Sequence, residues 1–417
     1  MLTRACRDFL WCIAMQKYSN SAFHGTVLVV ATIVGGGMFA LPIALEALWF
    51  TKGVLFLLLS ALFMLASGLM LVDVNMRFPQ GSSFHTFTKK LLGRKVNFIV
   101  GLSLVFVLYL VTYAYLSGAS AVFSTLQSDL TGKRYPVLSV MLITLFVSAV
   151  VCKGGRFSAH IISFFIAAKF TAFFMATAGH LHRISPELVF TSPAFGSFSA
   201  ILLTLPVCII SFGFHGSIPS LIKMYGGKEH KLVVKSLCFG VGISALIYIY
   251  WLGMTMGILD RGAFAAIKDQ GGNINVFMTA LSQNELSHYI NGLLLFFAFF
   301  AVTSSLLSAS LGLFDYLHDL LGSFLGITSS FPAAAMTYLP PALLCIITPD
   351  GFIPALAYAG IALVIWSVLL PPLLLLKARK AGIEGPYQFP AGNKFLYGYF
   401  LSGFLLWVAM LVNMIKV

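Results

Sequence analysis

Apolar runs of about 20 residues or more, separated by short polar gaps, recur along the whole chain, and a helix of that length crosses the hydrocarbon core of a bilayer. Nothing alternates with the period of two that barrel strands require, and within lipid a helix satisfies every backbone group inside one segment. The pattern predicts eleven helices, at about 24–50, 53–76, 96–126, 136–152, 157–178, 198–224, 232–258, 288–321, 331–348, 351–376 and 395–416. The expected fold is therefore an all-α integral membrane protein, with one transmembrane domain over 24–417 behind a tail at 1–23.

Composition sharpens this picture. Hydrophobic residues make up 59% and charged residues 9% of the 417, with a mean hydropathy of +0.94, whereas soluble domains carry roughly 25% charged residues. A net charge of +13 would suit a nucleic-acid partner, but the basic residues lie in short loops beside the spans, so they report topology and no nucleic-acid partner is expected. Arg77, Lys89, Lys90, Arg94 and Lys95 follow the second span, Lys223, Lys228, Lys231 and Lys235 follow the sixth, and Lys377, Arg379 and Lys380 follow the tenth. The opposite side holds a sparser set, including Lys52, Lys133, Arg134, Arg261 and Lys268. Basic residues are retained inside, which predicts a cytoplasmic N-terminus and a periplasmic C-terminus. The tail holds Arg4 and Arg7 before an apolar patch too short to span, with no convincing cleavage site, and is read as cytoplasmic. Cys6, Cys12, Cys152, Cys208, Cys238 and Cys345 lack metal-ligand spacing and are expected to act as small apolar residues.

Two spans carry interruptions. The first contains Gly35, Gly36 and Gly37 followed by Pro42; the sixth contains Gly213, His215, Gly216 and Pro219. Each glycine costs about 1 kcal/mol against alanine in a helix, so the triplet marks a point of unwinding. Small residues also let helices pack closely, but paired breaks in corresponding halves point to a substrate site at the midplane of an inverted-repeat carrier. Five spans would form one repeat, about 24–178, and five the second, about 198–376, with an extra helix at 395–416. Freed peptide groups and half-helix ends suit a zwitterion. Its carboxylate would take N–H groups around Val34, Gly35, Gly36 and Gly37, and its ammonium the carbonyls of Phe212, Gly213, Phe214, His215 and Gly216.

Lys169 stands alone within SFFIAAKFTAFFMAT, where a charge costs about 2.5–3.5 kcal/mol on insertion scales. It either alternates between charged and neutral forms as a proton carrier or serves as a fixed cation against carbonyls of the first helix. His215 either meets a substrate or proton, or satisfies freed backbone groups. Ser304, Ser305 and Ser308 either offer midplane hydroxyls or bond the preceding turn of their own helix. Asp315 and Asp319 share one face and read as gate or loop anchors rather than substrate ligands. No paired-His metal motif, phosphate-cradling loop or Ser/His/Asp set is present in the sequence, so neither an enzyme nor a cofactor or metal is expected.

Five segments together resemble the hydroxy and aromatic amino acid permeases of bacteria, a branch of the amino acid, polyamine and organocation superfamily. They are TIVGGGMFALP at 32–42, VTYAYLSGAS at 111–120, SFGFHGSIPSL at 211–221, GLFDYLHDL at 312–320 and AYAGIAL at 357–363. The resemblance implies a proton-driven symporter for an aromatic amino acid, tyrosine ahead of tryptophan, in the bacterial inner membrane. It also implies a coupling role for Lys169, with Ser304 and Ser305 where a sodium site's hydroxyls would lie. GGNIN at 271–275 and SIPSL with Lys223 lean toward the tryptophan type; the compact N-terminal half leans toward tyrosine. The tail and Ser308, where glycine is usual, depart from the pattern. The rivals are a sodium-coupled carrier on the same fold, a membrane-embedded enzyme and a passive channel.

Overall fold

The computed structural model describes residues 21–79, 82, 84–191, 198–227, 229–282, 288–327 and 329–416; most of the expected tail, with Lys228, lies outside them. Among the described residues the chain is helical throughout, with no strand. In chain order the helices are α1 (Ala22–Ile33), α2 (Gly37–Ala44), α3 (Trp49–Met76), α4 (Phe84–Thr131), α5 (Pro136–Cys152), α6 (Gly155–His180), α7 (Pro186–Phe190), α8 (Phe198–Ser211) and α9 (Ile218–Met224). They continue as α10 (His230–Ile258), α11 (Arg261–Asp269), α12 (Ile274–Ser282), α13 (His288–Leu325), α14 (Ser330–Ile347), α15 (Phe352–Val364), α16 (Leu370–Lys380) and α17 (Asn393–Lys416).

Nine helical stretches among the described residues are long and apolar enough to cross a membrane, and the bent pair α1–α2 makes a tenth. The protein is thus a multi-pass membrane protein. Helix α5, at 136–152 as expected, is apolar but only 17 residues long.

Two differences from the expected spans have local causes. Helix α4 begins twelve residues before the third span because Gly93, at φ 85°, joins a short basic segment to it; that left-handed backbone suits glycine alone. The tenth span is interrupted by a π-turn at Ile365–Leu369. Just beyond it Pro371 and Pro372 supply no N–H to the carbonyls one turn back, and the helix repacks around them.

Helix α1 packs against α10, α13 lies against α6 and α4, and α15 fills the space between α4 and α8. The last contact is close enough that a Cβ on Gly360 would strike the backbone of Pro206. The face carrying Ala22 and Met76 is here the near face, and that carrying Ala44 and Asp350 the far face. On the near face the fully buried Asp73 pairs with Arg77 at 2.5 Å and accepts the N–H of Phe389 at 2.8 Å. Arg77 also donates to the carbonyl of Ile383, so the connection between α16 and α17 is tied to the end of α3. Within that connection Tyr387 stacks on His230, and burial together with Asp73 pushes its phenol up to about 12. On the same face, Tyr225 Oη accepts from Gly25 N at 3.1 Å and lies 2.9 Å from Ser236 Oγ. On the far face a cavity of about 550 Å³ opens between α2, α8 and α15, lined by Ala44, Thr204, Gly272 and Ile353.

Candidate functional site

Helix α1 stops at Ile33 because Val34 turns to φ −76°, ψ 92°, and α2 leaves at 56° to it. The carbonyls at the end of α1 lose the N–H groups that a continuous helix would supply. Side chains from two other helices replace them. Lys169 of α6, 2% exposed, donates to Val34 O at 2.5 Å and Ala31 O at 3.3 Å. Tyr248 of α10 donates to Ile33 O at 2.6 Å. An ammonium on the negative end of a half-helix is favourably placed.

The N–H side of the break is met from α13. Gly36 N donates to Ser305 Oγ at 3.1 Å, while Ser305 donates to Ala301 O at 3.0 Å. Ser304 and Ser308 bond only carbonyls of their own helix, at 2.9 Å each. The three predicted serines therefore part company, and Ser305 alone reaches the break. A Cβ on Gly36 would stand 2.6 Å from the ring of Tyr115 of α4, so this position accepts only glycine without a shift.

The second break lies alongside. Helix α8 ends at Ser211, whose carbonyl is 3.0 Å from the same Tyr248 hydroxyl, and a Cβ on Gly37 would be 3.0 Å from Ser211 Oγ. Phe212, Gly213 and Phe214 interrupt the helix before a 3₁₀ turn at His215–Ser217 and then α9. Local bonds survive there: Gly213 N to Ile210 O at 3.0 Å and Ser217 N to Phe214 O at 2.9 Å. His215 is fully buried, with Nε2 at 2.8 Å from Ser67 Oγ and its ring stacked on Phe214 at 4.7 Å. Its Nδ1 has no partner among the described residues. Gly216 is exposed, and a Cβ there would meet nothing within 4 Å.

The structure thus gathers Val34, Gly35, Gly36, Gly37, Lys169 and Ser305 around one break, with the 211–213 break beside it. It sets His215 against Ser67, Phe214 and Trp366. Beyond Gly37, Phe39, Phe173, Trp251 and Phe297 form an aromatic cluster with centroids 5.2–6.1 Å apart. Trp251 Nε1 anchors it by donating to Met38 O at 2.9 Å. Tyr115, Tyr248 and Trp251 are the residues that sequence reasoning missed. A signal existed: YIYW at 248–251 puts polar tips deep inside an apolar run, where a phenol or indole needs a partner.

The tryptophan/tyrosine permease family matches the chain over residues 18–410. The chain belongs to that family. It is 40% identical over 410 residues to the tyrosine permease of Enterobacter agglomerans, covering 97% of this chain and 99% of that one. It is 39% identical over 366 residues to the low affinity tryptophan permease of Escherichia coli (strain K12), covering 87% and 88%. The tyrosine-specific transport system 1 of Haemophilus influenzae is 29% identical, with 93% and 96% covered. These relatives are permeases, and the chain is a transport protein of the same kind rather than an enzyme.

Proposed function

We propose that this permease imports an aromatic amino acid, tyrosine first and tryptophan second, across the bacterial inner membrane by proton symport and alternating access. The reading takes eleven spans in a five-plus-five inverted repeat with an extra C-terminal helix, the N-terminus cytoplasmic and the C-terminus periplasmic. Helices α1–α2 and α8–α9 are its discontinuous members, each opening one repeat.

The observation that supports it most is the Lys169 ammonium on the end carbonyls of α1, at the side of the paired breaks. An ammonium there holds the severed end of α1 in place; the neutral amine holds it less firmly, so a proton arriving or leaving biases the position of the break. The substrate carboxylate then competes for the N–H of Gly36, which Ser305 satisfies in this structure, and its aromatic ring packs toward Tyr115 or the Phe39–Trp251 cluster. Support for the substrate comes from the printed functions of the relatives, which are tyrosine and tryptophan permeases.

Inward movement of one charge through about 100 mV supplies roughly 2.3 kcal/mol, enough for on the order of fifty-fold accumulation. Uptake of radiolabelled tyrosine and tryptophan into proteoliposomes under an imposed pH gradient tests the reading. Accumulation should rise with the gradient and collapse on adding a proton ionophore. Uptake that instead follows a sodium gradient and ignores the ionophore would replace the proton with sodium.

A further inference from the structure

Two sequence motifs stand apart from the paired breaks, LSGAS on α4 and GGNIN ahead of α12, and the fold brings them together. With the start of α5 and the connection after α14 they enclose a second pocket, of about 230 Å³, at the far face. Ser120 and Ser124 are four residues apart on one side of α4 and line it with Asn273, Asn275, Arg134 and Asp350.

Ser117 and Thr125, which also line the pocket, bond the carbonyls of Pro349 and Ala121, but four other polar atoms there are left over. Ser120 Oγ, Ser124 Oγ, Asn273 Oδ1 and Asn275 Oδ1 are buried and have no hydrogen-bond partner among the described residues. Ser120, Ser124 and Asn273 are 4%, 5% and 6% exposed. Serines in membrane helices commonly bond the carbonyl one turn back, as Ser244 and Ser308 do here; these two do not. Asn273 spends its amide N–H on Asp350, which leaves its carbonyl oxygen open. Each such buried group left unpaired is unfavourable by about 1–3 kcal/mol, so four in one pocket point to an occupant.

The chemistry of the walls selects that occupant. Two amide oxygens and a carboxylate accept only, which calls for a cationic donor; two hydroxyls and a guanidinium donate, which calls for an anionic acceptor. A bare cation would face Arg134, and a bare anion would face Asp350. A zwitterion uses both sets. We infer that this pocket is a second binding site for an α-amino acid, its ammonium held by Asn273, Asn275 and Asp350 and its carboxylate by Ser120, Ser124 and Arg134. The inference rests on the reading of the chain as an amino acid carrier. Ser120 and Ser124 lie five and nine residues along α4 from Tyr115, or about 8–13 Å at 1.5 Å per residue. A molecule held there waits on the far side of the break that Tyr115 touches.

Equilibrium dialysis of the purified full chain in detergent against radiolabelled tyrosine, and separately tryptophan, tests this. The wild type should bind two molecules per chain and Ser120→Ala/Ser124→Ala one, with a melting temperature without amino acid no lower than that of the wild type, since two unpaired hydroxyls are removed. Should the double variant fail to fold, Arg134→Gln, an exposed position, replaces it and should weaken the second molecule about tenfold. One molecule per chain in the wild type means that the pocket holds water alone, and overturns the second site while leaving the carrier reading intact. Two molecules in the variants, at unchanged affinity, overturn it as well. If neither aromatic amino acid binds but another of the protein amino acids does so twice per chain, the second site stands and the aromatic reading falls. Binding of none overturns both.

Discussion

The two interrupted spans meet the same problem with different sets of partners. At the first, the chain bends by 56°, and the loosened carbonyls and N–H are met by Lys169, Tyr248 and Ser305 from three other helices. At the sixth, backbone bonds such as Gly213 N to Ile210 O persist through a 3₁₀ turn, and Tyr248 is shared with the first break. Local bonds persist at the first break too, Met38 N to Gly35 O at 3.2 Å and Phe39 N to Gly36 O at 3.1 Å, but there three side chains from the bundle are added to them. A segment satisfied from outside moves when its outside partners change, so in the proposed mechanism the first span is the element that a proton or a substrate would shift.

Substitutions can break that contrast. Lys169→Ala should have the largest effect, reducing uphill accumulation from about fifty-fold to none while substrate exchange across the vesicle membrane continues. Unchanged accumulation in pH-driven vesicles would remove the lysine from coupling. Next comes a comparison of glycines. Gly36→Val drives side-chain atoms into Tyr115 and should lower the initial rate of uptake by about tenfold or more. Gly216→Ala, which meets nothing within 4 Å, should match the wild type in folded yield on size-exclusion chromatography.

Tyr248→Phe removes the one hydroxyl that both breaks share. It should destabilise the protein by about 1–2 kcal/mol, read as a lower melting temperature in detergent, with a poorer KM. The smallest effect distinguishes neighbours. Ser305→Ala should change KM by about fivefold because Gly36 N loses its acceptor, whereas Ser304→Ala, whose hydroxyl only bonds Ala301 O, should stay within about twofold. Equal behaviour of the two serines would mean that Ser305 does not govern the break.

Much of the architecture was legible because lipid leaves few choices. Uninterrupted apolar runs gave helices at the expected positions, and glycine triplets and prolines located the interruption at Gly35–Gly37. The interruption at 212–214 falls within the expected sixth span, which lacks the 56° bend of the first. Sequence did not separate the two roles of Lys169; its contacts with Ala31 and Val34 place the ammonium on first-helix carbonyls, and coupling is the added claim. The other partners of the breaks were illegible because they depend on which face each helix presents after packing. Ser305 was named beforehand but not told apart from Ser304; Tyr115 and Tyr248 come from spans far apart in sequence, and an all-round apolar helix carries no periodic stripe to reveal its orientation. The same holds for Ser120, Ser124, Asn273 and Asn275, which sit in two separate motifs and meet only once the chain is folded.

The strap from α16 to α17 constrains how the near side can swing ajar. Its knot is an ion pair, Asp73 with Arg77, sealed from solvent and reinforced by two backbone groups of the strap, and separating sealed ions leaves each stranded in a poor dielectric. On the same face hydroxyl contacts join Tyr225, Ser236 and the first turn of α1. If the carrier alternates access as proposed, parting the near side at this knot would strand two ions, so the strap and the end of α3 would travel together.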